Sequence, residues 1–155
     1  MIRLTKLTDY GIVLLTHFAS SPPASVHTAR EIAQTARLPL PTVGRLLKVL
    51  TSEGLLVSQR GVNGGYSLAR PAEEISISQI IRALEGPVSM TECSDGPGIC
   101  KHELLCPLKT NWQKINDVIL RALEGISLAE MARPFTFDLN LLLSHDPSRT
   151  LTRRT

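Results

Sequence analysis

The chain has 155 residues, 43% of them hydrophobic, a formal net charge of +3 and a pI near 9.0. Such a composition excludes a chain disordered by content, and the length suits one ordinary domain or a domain with an appendage. No apolar run approaches the roughly 18–20 residues that span a bilayer, and the start MIRLTKLTDYG lacks a secretory signal's apolar segment, so a cytoplasmic, membrane-free protein is expected.

With one Trp, two Tyr and three Phe, the core must be built largely from Leu, Ile, Val and Ala, which favours helices. Residues 8–20 read as a first helix, with Thr8 as its N-cap and Asp9 at the positive end of its dipole. After the loop at Pro22 and Pro23, Thr28 and Glu31 form a capping box that opens a short helix to about Ala36. The break RLPLP leads into a helix over 41–53, with Val43, Leu46, Leu47 and Leu50 on one face and Gly54 as its stop. Period-two alternation at Leu55, Val57, Tyr66 and Leu68, around the turn chemistry of RGVNGG, predicts a β-hairpin. Ser76 caps a helix with Ile77, Ile80, Ile81 and Leu84 on one side, ended by Gly86 and Pro87. Beyond Pro107 a longer helix reaches about Glu124, striped by Trp112, Ile115, Val118, Ile119 and Leu123. A second capping box, Ser127 to Glu130, opens a short helix before Pro134. The last residues alternate like a strand in FTFDLNLLL and end in the basic tail SRTLTRRT.

The reading is mainly α with a small β-hairpin wing: a winged helix-turn-helix followed by a long dimerisation helix. Four stretches follow: a DNA-binding unit over 1–86, a cysteine loop over 87–106, the dimerisation helix and short helix over 107–134, and a tail over 135–155. In such a unit the second helix of the pair enters the major groove. Thr42, Gly44, Arg45 and Lys48 lie off the apolar stripe of residues 41–53, so they are candidate DNA contacts, Arg45 for guanine or phosphate and Lys48 for phosphate. Arg60 at the hairpin suits the minor groove or the backbone, with Gly61, Gly64 and Gly65 permitting close approach. Arg3 and Lys6 are placed to reach flanking phosphates of double-stranded DNA. No P-loop, GxGxxG or Ser-His-Asp order is present, so no enzyme is expected.

Cys93, Cys100 and Cys106, all the cysteines of the chain, fall within one loop. Their spacing is too wide for a zinc ribbon, and no second pair exists. Three thiolates in a loop of small and turn-forming residues suit an iron–sulfur cluster with one further ligand. A zinc ion completed by His102 and metal-free reactive thiols are the competing readings. The stripe Trp112–Leu123 serves either as core or, since the winged unit already supplies a core, as a homodimer seam.

Three features together, RLTKLTDYG at the start, RGVNGGYSLARP in the wing and three cysteines before a long helix, resemble the Rrf-type winged-helix regulators. That family includes an iron–sulfur cluster regulator and a nitric-oxide-sensing repressor. The wording across residues 2–134 is similar above all to regulators of the SUF iron–sulfur assembly system. The resemblance implies a homodimer, acting as a repressor of iron–sulfur assembly genes at a pseudo-palindromic operator, with a 2Fe-2S or 4Fe-4S cluster held by Cys93, Cys100 and Cys106. For a fourth ligand, Asp9 of the partner chain is the first candidate, and His102, within the loop itself, is the second. Two departures stand out. The first cysteine gap is one residue longer than in the best-known members, and Lys109 occupies the position of the cluster regulator's ligating histidine.

Overall fold

The computed structural model describes residues 4–133, apart from Pro97, Glu103, Leu104 and the side chain of Asp95. Arg3 and the strand-like and basic segments after residue 133 lie outside the described residues.

Among the described residues, seven helices and one hairpin follow in chain order: α1 (Lys6–Ser20), α2 (Ala29–Ala36), α3 (Leu40–Ser52), β1 (Leu56–Gln59), β2 (Gly65–Leu68), α4 (Ile77–Glu85), the single turn α5 (Glu92–Asp95), α6 (Lys109–Glu124) and α7 (Leu128–Ala132). A 3₁₀ turn, Ala72–Glu74, lies between β2 and α4. The capping boxes at Thr28–Glu31 and Ser127–Glu130 form as expected, and α4 has its own at Ser76–Gln79. The N-cap of α1 differs from the sequence expectation. Thr5, not Thr8, takes that role and accepts the Thr8 amide at 3.3 Å, so Thr8 becomes a buried residue of the first turn.

The hairpin pairs Leu56 with Leu68 and Gln59 with Gly65 in antiparallel register. Its phase is shifted by one from the expected alternation: Leu55 and Leu56 are both buried, and Val57 points outward. The cause is the end of α3. Gly54 at φ +72° lets Leu55 N–H reach Leu50 C=O at 2.9 Å and Gly54 N–H reach Thr51 C=O at 3.1 Å, a Schellman closure. Leu55 therefore belongs to the helix cap, and the strand starts one residue later.

One core joins α1, α2, α3, α4 and the hairpin through Leu14, Leu15, Ile32, Val43, Leu46, Leu47, Leu50, Leu56 and Ile80. α7 returns to this body. Leu128 is fully buried in the same core, and its N–H bonds to Ile75 C=O at 2.7 Å while Ile77 N–H bonds to Ile126 C=O at 2.9 Å. No helix among the described residues is long and apolar enough to cross a membrane.

Candidate nucleic-acid interface and cysteine loop

α2 and α3 meet through a tight turn in which Arg37 adopts the left-handed conformation at φ 53° and Leu38 N–H closes onto Ala33 C=O at 3.0 Å. That turn ends α2 and leads directly into α3, which packs against it. α3 then buries Val43, Leu46, Leu47 and Leu50 and exposes Arg45 and Lys48, with Thr42 and Gly44 half-buried. Lys6 is exposed at the first residue of α1, and Arg60 is exposed at the end of β1, before the wing turn. An outward basic set on a buried apolar stripe is the arrangement a groove-reading helix needs.

The wing glycines have an internal cause as well. A Cβ on Gly64 would lie 2.5 Å from the carbonyl oxygen of Gln59, and one on Gly65 would lie 2.5 Å from that of His27. Gly65 leads into a two-bond bridge, His27 N–H to Tyr66 C=O and Tyr66 N–H to His27 C=O, both 2.9 Å. The wing is thus fastened to the segment between α1 and α2. Around that bridge the rings of His17, Phe18 and His27 meet edge to face, with the two imidazole centroids 5.1 Å apart. Burial, helped by neighbouring His27, holds the His17 pKa below its ordinary value of 6.5. Nothing local in the sequence signals this contact, since His17 and His27 are ten positions apart on either side of the Pro22–Pro23 loop.

The cysteine loop begins where α4 ends. Cys93 is buried on α5 with its Sγ 3.2 Å from the Thr91 hydroxyl, while Cys100 and Cys106 are half-buried. An open cavity of about 420 Å³ lies beside Cys93, lined also by Lys109, Gln113, Asn116 and Asp117. Three thiols are suitable donors for an iron–sulfur centre, but in the single chain they do not converge. Among the described residues no group of three His, Cys, Asp or Glu side chains is placed to hold a metal ion. Asp9 is exposed on the first turn of α1, His102 is exposed in the loop, and neither joins such a group.

α6 resolves its apolar stripe into two faces. Trp112, Ile119 and Leu123 turn inward with Asn116, which is only 5% exposed and whose Oδ1 accepts Met90 N–H at 3.1 Å. Ile115 and Val118 turn outward and are 45% and 67% exposed, on the side of Leu108. Asn116 was not singled out from sequence, although its spacing of four from Trp112 and three from Ile119 was the available signal.

The sequence profile of the Rrf2 family, described as iron-dependent transcriptional regulators, matches residues 4–134. Protein rrf2 of Nitratidesulfovibrio vulgaris (strain Hildenborough) is 30% identical over 135 residues, covering 85% of this chain and 88% of that protein. Among solved structures, CymR (YrzC), the global cysteine regulator of B. subtilis, superposes with a TM-score of 0.66 at 30% identity, over 85% of this chain and 97% of that one. The IscR of T. potens gives 0.63 at 26% identity, over 96% and 91%.

Proposed function

The chain belongs to the Rrf2 family of DNA-binding transcriptional regulators, and from that premise we propose that it is a cytoplasmic homodimer that represses iron–sulfur assembly genes according to the state of its cysteine loop. The observation that carries the DNA-binding part is α3, with four apolar residues buried and Arg45 and Lys48 exposed. Arg45 reads a base edge. Lys6, Lys48 and Arg60, with Arg3, hold the phosphates, while Thr42 and Gly64 line the approach. Arg45→Ala should weaken binding to the specific operator by about 1–3 kcal/mol and leave non-specific binding nearly unchanged. Equal loss on all DNA would reassign Arg45 to the backbone.

In this reading Cys93, Cys100 and Cys106 are the thiolate ligands of an iron–sulfur cluster, with Asp9 of the partner chain or, second, His102 completing the site. The bound cluster would supply a redox- and iron-responsive tie across the loop. The donor types support it, as does similarity to an IscR structure. In the single chain the three thiols do not form a group placed to hold a metal ion, so in this reading the loop draws them together around the cluster.

That separation, together with the CymR likeness, favours one competing reading: a regulator that works without a cluster, through thiol redox, zinc or a partner protein. Purification without oxygen distinguishes the two. A brown protein whose visible absorption disappears in a Cys93→Ser, Cys100→Ser, Cys106→Ser variant supports the cluster. A colourless protein, or one holding zinc alone, supports the competitor.

A further inference from the structure

Three helices carry their own capping box: Glu31 in α2, Gln79 in α4 and Glu130 in α7 each reach back to the amide of their own N-cap. α1 has Thr8 at the equivalent position, which cannot do this. Its box is completed from another helix. Oε1 of Glu85, the last residue of α4, accepts the N–H of the N-cap Thr5 at 2.7 Å and the hydroxyl of Thr8. Thr8 is fully buried, so the bond is shielded on one side, and one turn later Gly11 lies against the end of the Leu84 side chain. The carboxylate sits at the positive end of the α1 dipole, where an anion is favoured, and its bonds are charge-assisted. Hydrogen bonds from Thr8 and Thr5 hold the Glu85 pKa below the usual carboxylate value.

Glu85 is also the last residue before the connector to the cysteine loop. Gly86, at φ +94°, turns the chain out of α4, and four residues on Met90 N–H is held by buried Asn116 of α6. Thr91 contacts Cys93 directly after it. A short connector is therefore clamped to α6 at one end and to the first turn of α1 at the other. That first turn carries Lys6 and Asp9.

We propose that Glu85 is a positioning residue that couples the cysteine loop to the N-terminus of α1, so that displacement of Met90–Cys93 is passed to Lys6 and Asp9. The coupling rests on the reading of the loop as the sensing element, but not on what occupies it. A directional double hydrogen bond suits this task better than apolar packing, because a small shift of the connector breaks it rather than sliding along it. The α1 backbone bonds then carry the change along a rigid helix.

Amide hydrogen exchange on the full-length reduced protein tests this, before and after alkylation of the thiols with iodoacetamide. In the unsubstituted chain, alkylation should change exchange at the Thr5, Thr8 and Asp9 amides by about tenfold. In Glu85→Ala and in Thr8→Val that difference should shrink to within about twofold, with Glu85→Gln restoring part of it. A merely structural cap would raise exchange in the variants before alkylation and leave the alkylation-induced difference intact. That result overturns the proposal, as does an unchanged first turn when the unsubstituted chain is alkylated. Alkylation needs no cluster, so a protein that never takes up iron can still show the coupling.

Discussion

At the scale of single residues, protonation separates two groups of side chains. Glu31, Glu85 and Glu130 are held below the usual 4.5 by the hydrogen bonds that make them caps. Their contribution to stability is present above that value and is lost as pH falls through their lower folded values. His17 acts earlier. Its folded pKa lies below 6.5, chiefly through burial and then through the neighbouring His27 imidazole, so the unfolded chain takes up the proton first. Stability should therefore begin to fall as pH drops below 6.5 and stop falling on this account below the folded value. The charged groups to consider are His27, against the same ring, and Glu31, whose carboxylate feels His27. Urea midpoints measured from neutral pH down to about 5 should show this decline in the unsubstituted chain and a shallower one in His17→Gln. Parallel curves would mean that His17 titrates as it does unfolded.

Elements of the fold were legible wherever the signal is local. A capping box needs a Ser or Thr and a Glu or Gln three residues on, so α2 and α7 could be placed from sequence alone. The start of α1 could not, because its acceptor, Glu85, is 77 positions away from Thr8. The hairpin was visible in RGVNGG, but its phase depended on Leu55 being drawn into the α3 cap. The wing glycines also gain meaning only in three dimensions, and they yield a contrast. Gly65→Ala would press a Cβ onto the His27 carbonyl, whose oxygen and carbon lie 2.5 and 2.8 Å away. Backbone cannot move aside as a side chain does, so a loss of about 1–3 kcal/mol and faster exchange at the His27 and Tyr66 amides are expected. Gly44→Ala, in the interior of α3, meets nothing within 4 Å. It should instead stabilise the fold by about 0.5–1 kcal/mol through helix propensity. Thermal denaturation of the two variants side by side checks both signs.

On the scale of the whole molecule, periodicity marks the α6 stripe as apolar, but it cannot say which neighbour covers which side, and the stripe has two faces. The single chain covers Trp112, Asn116, Ile119 and Leu123 and leaves Ile115 and Val118 largely open. If that outer face is the homodimer seam, charge placed at its centre should separate the chains without unfolding either one. Val118 is 67% exposed, so Val118→Asp removes little core from one chain. Ile119, half-buried against the inner side, provides the comparison, because Ile119→Asp should reduce helix content itself. Sedimentation equilibrium should then report a monomer for Val118→Asp with an unchanged far-ultraviolet circular dichroism spectrum; a persisting dimer would move the seam to another surface. The consequence for DNA follows from geometry. Two recognition helices on one dimer address half-sites about 34 Å apart, whereas a monomer engages one half-site with half the phosphate contacts. Val118→Asp should therefore bind a two-half-site operator no more tightly than a single half-site, with about half the salt dependence of the dimer.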